Sequence, residues 1–134
     1  MADIRPVTAT FAVAPQIAPG DLAALKQDGY GLVINNRPDH EQPGQPTSAE
    51  FEAAATAAGL SYVHIPVVGL ATPHQVAAMA GAVAGQGGKV LAFCRSGTRS
   101  ITAWSLGRLA AGQDRDEVVS TAAAAGYDLS GLPG

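Results

Sequence analysis

The stretch "KVLAFCRSGTRSITAWSLGRLAAG", residues 89 to 112, decides the fold, because a strand, a short loop and a helix follow one another in it directly. Its first five residues, "KVLAF", form the kind of apolar run that is expected of a strand covered on both faces. The segment from Arg99 to Gly112 predicts a helix. The loop between them contains Cys94, so this residue lies between the end of a buried strand and the beginning of a helix.

The same alternation of strands and helices extends through the rest of the chain. Other strands are predicted by the runs "TFAVAPQI", "GLVINN" and "SYVHIPV", and other helices by "DLAALKQDG", "TSAEFEAAATAAG", "TPHQVAAMAGAVAGQGG" and "DRDEVVSTAAAAG". Each crossover is long enough for a parallel βαβ unit. We therefore expect a single α/β domain over residues 1–134, with a central, mainly parallel sheet flanked by helices. In such folds ligands bind at the carboxyl ends of the strands, where Cys94 lies.

Composition and charge give no support to several classes of partner and location. The chain has 134 residues and a net charge of −3, which favours neither nucleic acid nor an anionic membrane as a partner. The sequence shows neither a signal peptide at its start nor an apolar stretch of membrane-spanning length. Its single cysteine rules out an internal disulfide and fits a reducing compartment, so we expect a cytoplasmic protein.

The loop "CRSGTR" has the chemistry of an activated nucleophile. A loop that leads from a buried strand into a helix directs backbone N–H groups and the positive end of the helix dipole inward, where they stabilise an anion or a thiolate. Gly97 lets the backbone curl tightly, while Arg95 and Arg99 add positive charge suited to an oxyanion. A lone cysteine after a strand is commonly a small buried hydrophobe. The glycine, the two arginines and the strand-to-helix context together favour the nucleophile.

This loop resembles two families of enzymes. "CRSGTRS" is similar to the rhodanese loop, Cys-x-x-Gly-x-Arg, and to the phosphate loop of cysteine phosphatases, in which His-Cys is followed by five residues and then Arg. Beyond the loop, "VINNRPDHEQPGQPTSAEFEAAATAAGLSYVHIPV" and "AGYDLSGL" resemble a bacterial family of beta-lactamase-hydrolase-like proteins that are also described as candidate phosphatases. That resemblance implies a cysteine-phosphatase-like fold and, as a partner, a metallo-β-lactamase-type hydrolase that metabolises persulfides.

Three departures from the phosphatase pattern favour transfer of sulfur over transfer of phosphorus. Only four residues separate Cys94 from Arg99, which makes a smaller ring of N–H groups. Phe93 stands where the phosphatases have their histidine. A phosphatase needs a general acid, and the loop "PVVGLATPHQ" offers His74 as its only titratable group. Sulfite and thiolates leave as anions and need no such acid.

The sequence thus predicts a sulfurtransferase of the rhodanese type. Cys94 would take sulfane sulfur from thiosulfate or glutathione persulfide as a persulfide, and a thiol, sulfite or cyanide would accept it. Arg99 is the second candidate catalytic residue, and no metal or organic cofactor is implied. The candidate substrate-binding residues are Arg95, Ser96, Gly97, Thr98, Ser100 and Arg37. For Ser96 and Ser100, capping of the following helix is an equal alternative to a contact with sulfur.

Two alternative functions remain open, as do the roles of several residues outside the loop. The first alternative is a cysteine-dependent phosphatase acting on phosphotyrosine or a small phosphate ester. The second is a non-catalytic sulfur carrier or anion-binding module that works with a hydrolase. Arg37 and Asp39 could form a structural pair instead of binding substrate. His74 could line the pocket, whereas His64, which lies in a strand, is expected to be structural.

Overall fold

The computed structural model describes residues 2–132, in which five strands form one sheet and five α-helices flank it. The strands are β1 (Arg5–Pro6), β2 (Phe11–Ala14), β3 (Tyr30–Asn35), β4 (Ser61–His64) and β5 (Lys89–Phe93). The helices are α1 (Leu22–Gln27), α2 (Ser48–Ala58), α3 (Pro73–Ala84), α4 (Thr98–Ala110) and α5 (Arg115–Ala124). The predicted α/β architecture is confirmed.

Strand order brings β5 to the centre of the sheet. The order is β1-β2-β5-β3-β4, and every pair except β1 and β2 is parallel. Because β5 is paired on both sides, Phe93 lies beside Ala14 of β2 and Asn35 of β3 at the carboxyl ends of three strands. The loop that follows Phe93 therefore begins at a position that two neighbouring strands hold in place. The two-residue β1 was not predicted, because so short a strand has no readable periodicity.

Successive residues of each strand point to opposite faces of the sheet and into two separate apolar clusters. Helices α1 and α2 cover one face, where Phe51 packs against Phe93 and Leu91 is buried. Helices α3, α4 and α5 cover the other face, where Trp104 stacks on Phe11 with ring centroids 5.0 Å apart. None of the helices in the described part of the chain is long and apolar enough to cross a membrane.

Helix starts follow local sequence signals in most cases. Thr47 and Thr72 cap α2 and α3, and each accepts a hydrogen bond from the backbone N–H three residues ahead, as the capping-box pattern predicts. Asp114 caps α5 through Glu117 N–H. Asp21, which the sequence also favours as a cap, occupies the N-cap position of α1 but makes no side-chain cap there, because its carboxylate accepts from Ala18 N–H.

Candidate active site

Cys94 is the first residue after the central strand β5, and it is fully buried. Its backbone N–H donates to Ala14 O at 3.4 Å, which extends the pairing of β5 with β2 by one residue. Its sulfur accepts a hydrogen bond from Gly97 N–H at 3.1 Å. A backbone N–H thus points at the sulfur from within the loop, which is the arrangement that stabilises a negative charge on it.

Gly97 begins helix α4 in a conformation that favours glycine. Its φ is 93°, in the left-handed region, and it occupies the N-cap position of α4. A Cβ atom built at this position would collide with the hydroxyl of Tyr127. Sequence reasoning required a glycine here for the curl of the loop, but the close approach of Tyr127 could not be read from the sequence.

The hydroxyl residues in and next to the loop differ in their hydrogen bonds. Ser96 Oγ donates to Thr98 Oγ1 at 3.0 Å and accepts from Thr98 N–H at 3.3 Å, so these two exposed residues close the first turn of the helix. Ser100 is fully buried, and its Oγ has no hydrogen-bond partner within residues 2–132. The geometry favours the capping alternative for Ser96. Substrate binding by Ser96, Thr98 and Ser100 stays a prediction.

Arg99 extends from the first turn of α4 across the rim to two other loops. Its Nη1 donates to Val67 O and to Glu41 Oε2, both at 2.8 Å, and its Nη2 donates to Glu41 Oε1 at 2.9 Å. The hydrogen bonds to Glu41 raise the pKa of Arg99, and the charge of Cys94 raises it further. Among the described residues, these bonds occupy three of the five N–H donors of the guanidinium. Arg95, by contrast, is exposed.

Glu41 is a site residue that sequence reasoning missed. Its carboxylate joins Arg99 to the buried Arg37, whose Nε donates to Glu41 Oε1 at 2.8 Å. These two guanidinium groups, Arg99 first, lower the pKa of Glu41 to about 2. Glu41 is therefore ionised at any physiological pH. Its loop, "RPDHEQPGQP", carries only turn signals, so nothing in the local sequence marks this residue.

Arg37, a candidate for binding an anionic substrate, is buried and is bonded to protein groups. Besides Glu41, its guanidinium donates to Gln16 Oε1 at 2.9 Å and to Gln42 Oε1 at 3.1 Å, and the residue is 3% exposed. The expected alternative pair with Asp39 is also absent from the described structure, since Asp39 accepts from Ser48 N–H instead. Arg37 thus holds Glu41 in position, and direct binding of substrate by Arg37 stays a prediction.

Within residues 2–132, neither His64 nor His74 makes a hydrogen bond to the cysteine loop. His64 Nε2 is 2.8 Å from Arg37 O, a backbone contact that fits the structural role expected for it. His74 is exposed and lines a cavity of about 430 Å³ that it shares with His64, Pro66 and Gln75. No residue of the cysteine loop lines that cavity. This cavity is therefore separate from the cysteine loop, and a role of His74 at Cys94 stays a prediction.

Comparison with known proteins supports the expected family and fold. Residues 3–113 match the family described as "Beta-lactamase hydrolase-like protein, phosphatase-like domain". A beta-lactamase hydrolase-like protein of Xylella fastidiosa is 42% identical over 103 residues, which are 75% of this chain and 24% of that protein. The chain thus spans about a quarter of the length of this curated relative.

Solved structures with the same fold are described as phosphatases. A phosphatase candidate from Neisseria meningitidis has a TM-score of 0.84 and 32% identity, over 96% of this chain and 92% of that one. Pseudomonas aeruginosa TpbA in complex with phosphotyrosine has a TM-score of 0.68 and 14% identity, over 97% of this chain and 78% of that one; at this identity the likeness shows the fold alone. These comparisons favour the phosphatase alternative over sulfur transfer and leave the rhodanese-type character of the loop a prediction. By sequence and by fold, the chain belongs to the family of phosphatase-like domains of beta-lactamase hydrolase-like proteins.

Proposed function

We propose that Cys94 is the nucleophile of a group-transfer enzyme and that the group it carries is sulfane sulfur. Support for the nucleophile comes from three neighbours of its sulfur. Gly97 N–H donates to the sulfur, the N-terminus of α4 follows the loop, and the positive charge of Arg99 interacts with Cys94. All three stabilise the thiolate or a negative charge that replaces it.

The pairing of Glu41 with two arginines, Arg99 and Arg37, is the observation that carries the choice of sulfur. A phosphatase must protonate the alkoxide or phenoxide that leaves, and this requires an acid that holds a proton near neutral pH. Glu41 is the carboxylate bound to Arg99, and its pKa of about 2 leaves it without a proton there. The neighbouring segment of residues 66–72 contains no carboxylate. A leaving group that departs as a stable anion avoids this requirement.

The transfer takes two displacement steps. In the first, the Cys94 thiolate attacks the outer sulfur of thiosulfate; a sulfur–sulfur bond forms on Cys94, and sulfite leaves with the electron pair of the bond that breaks. In the second, an acceptor thiolate, sulfite or cyanide attacks the terminal sulfur, and the Cys94 thiolate is restored. Charge is conserved in each step, and no redox partner is needed. The two N–H donors that remain on Arg99 hold the anionic part of the donor.

The second candidate is a cysteine-dependent phosphatase, and the comparisons favour it. The family description and the fold neighbours both name phosphatases. In that case Cys94 would attack phosphorus, and the loop N–H groups and Arg99 would bind the phosphoryl oxygens. The loop with four residues between cysteine and arginine, together with the ionised Glu41, argues that such activity is slow for leaving groups that need a proton.

Mass spectrometry and parallel turnover assays test the proposal. We expect treatment with thiosulfate to add one sulfur atom to Cys94, and thiosulfate with cyanide to yield thiocyanate over many cycles. Cys94→Ser is the control, because its hydroxyl is nearly isosteric but cannot form a persulfide; we expect complete loss of both signals with an unchanged melting temperature. Faster hydrolysis of a phosphate monoester than transfer of sulfur would establish the second candidate and overturn the first.

A free acceptor separates an enzyme from a carrier module. If Cys94 gains sulfur but releases it only when a hydrolase is added, the chain is a sulfur carrier and the proposal of an independent enzyme is wrong. The hydrolase to add in this assay is the metallo-β-lactamase-type hydrolase that we expect as a partner. We expect turnover with cyanide alone.

A further inference from the structure

Tyr127 lies behind the cysteine loop, and the activity described above assigns it no role. It follows α5, beyond the residues 3–113 that match the family. Its hydroxyl donates to Ser96 O at 2.9 Å. We propose that Tyr127 is a positioning residue that aims the Gly97 N–H at the sulfur of Cys94.

The argument rests on the geometry of one peptide unit. Ser96 C=O and Gly97 N–H belong to the same peptide plane and point in opposite directions. The hydroxyl of Tyr127 holds the oxygen on one side, and the N–H on the other side donates to Cys94 Sγ at 3.1 Å. Loss of the hydroxyl would free this plane to rotate, and a rotated plane would present an oxygen to the thiolate in place of a donor.

The surroundings of Tyr127 fix its hydroxyl in this position. The residue is 7% exposed and belongs to the apolar cluster under α3, α4 and α5, so packing holds its ring. The guanidinium of Arg5 lies 5.2 Å from the ring centroid on another side. Gly97 has no side chain, which permits the close approach of the hydroxyl.

The hydroxyl also remains a donor under working conditions. Burial raises the pKa of Tyr127, and the charge of Cys94 adds to this effect while Arg5 opposes it. The charge of Cys94 likewise raises the pKa of Arg99 on α4. Arg5 on β1 and Asp3, which pairs with Arg5, are the other charges that act on Tyr127.

The single cysteine gives a direct measurement of this role. The pH dependence of Cys94 alkylation by iodoacetamide, followed by mass spectrometry from pH 5 to 10, reports the formation of the thiolate and needs no substrate. Because Cys94 is fully buried, the rate also depends on access to the sulfur, so the rate of each variant at pH 7 is divided by its own plateau rate at high pH. For Tyr127→Phe, we expect the profile to move to higher pH and the rate at pH 7 to fall about threefold to tenfold, as for loss of one hydrogen bond. Replacement of Tyr127 by p-aminophenylalanine restores an N–H donor on the same ring, and we expect it to recover most of the rate.

Matched controls separate positioning from general destabilisation. Tyr30→Phe removes a hydroxyl from the start of β3, at the opposite end of the sheet, and we expect it to leave the profile unchanged. Equal profiles for wild type and Tyr127→Phe would overturn the proposal, as would p-aminophenylalanine that rescues nothing. A Tyr127→Phe variant that is unfolded at the assay temperature would also overturn it, because the hydroxyl would then be needed for the fold. The inference depends on Cys94 being the nucleophile but not on which atom it transfers, so failure of the sulfur assay leaves this test intact.

Discussion

Two loops meet at the carboxyl ends of neighbouring strands, and they contribute to the site in different ways. Residues 94–97, after β5, provide the cysteine and the backbone N–H that faces it. Residues 36–47, after β3, provide Glu41, which pairs with Arg99. The first loop works through backbone geometry within a few residues. The second works through charge, over a separation of 58 residues between Glu41 and Arg99. The sequence therefore predicts the nucleophile of the short loop, but it does not predict the charged residue that pairs with Arg99.

The largest expected effect comes from the arginine that joins the two loops. Arg99→Ala removes the bonds to Glu41 and Val67 together with the remaining donors for substrate. We expect kcat/KM for sulfur transfer to fall about 100-fold or more, as for loss of a preorganised charged donor. The exposed Arg95 is the matched control, and Arg95→Ala should cost less than about tenfold, mostly in KM.

Equal losses in the two arginine variants, with unchanged preference among donors, would contradict the distinction between them. Arg99→Lys sharpens the test, because it keeps the charge but loses the fork that holds both Glu41 oxygens. We expect Arg99→Lys to resemble Arg99→Ala more than wild type.

The next effect isolates the backbone geometry of the short loop. Gly97→Ala introduces a left-handed alanine and a collision with the Tyr127 hydroxyl. We expect it to lower the free energy of unfolding by about 2–3 kcal/mol. Gly112→Ala is the matched control, because Gly112 has a φ of 94° but no atom within 4 Å of an added Cβ. Its cost should be about 1 kcal/mol from backbone strain alone. Urea denaturation measures both, and equal costs would show that the contact with Tyr127 adds nothing.

The smallest effect concerns the long loop and depends on pH. The pKa of Glu41 is lowered from 4.5 to about 2 in the folded protein, chiefly by Arg99. A group whose folded pKa is depressed contributes stability above its unfolded pKa and loses it as the pH falls through the folded value. We therefore expect the melting temperature of Glu41→Gln to lie below that of wild type at pH 7. The difference between the two melting temperatures should disappear as the pH falls from 4.5 to 2. Calorimetry across this pH range tests the prediction. A difference in melting temperature that stays constant would be inconsistent with the ion pair.

The same contrast explains what the sequence could predict. Apolar runs and capping residues such as Thr47 and Thr72 are local signals, and they located four of the five described strands, the five α-helices and the strand-to-helix position of Cys94. The roles of Glu41 and Tyr127 depend on contacts with residues 58 and 31 positions away. Such contacts follow from strand order and from packing between elements, and no local pattern encodes them. The burial of Arg37 could not be predicted for the same reason, since it depends on a loop that folds back over it.

Pairing of β2 with β5 has a consequence for the order of events in folding. Phe11 lies beside Val90 in the sheet, so the chain must close a loop of nearly eighty residues before the pair can form. Cys94 N–H extends this same pairing to Ala14 O, which means that the nucleophile is in place only after that slow closure. The only tryptophan, Trp104, stacks on Phe11, and its fluorescence therefore reports the same event. The change in the rate of Cys94 alkylation and the change in tryptophan fluorescence should follow one rate during refolding, because an early intermediate would lack both the β2–β5 pairing and the stacked ring.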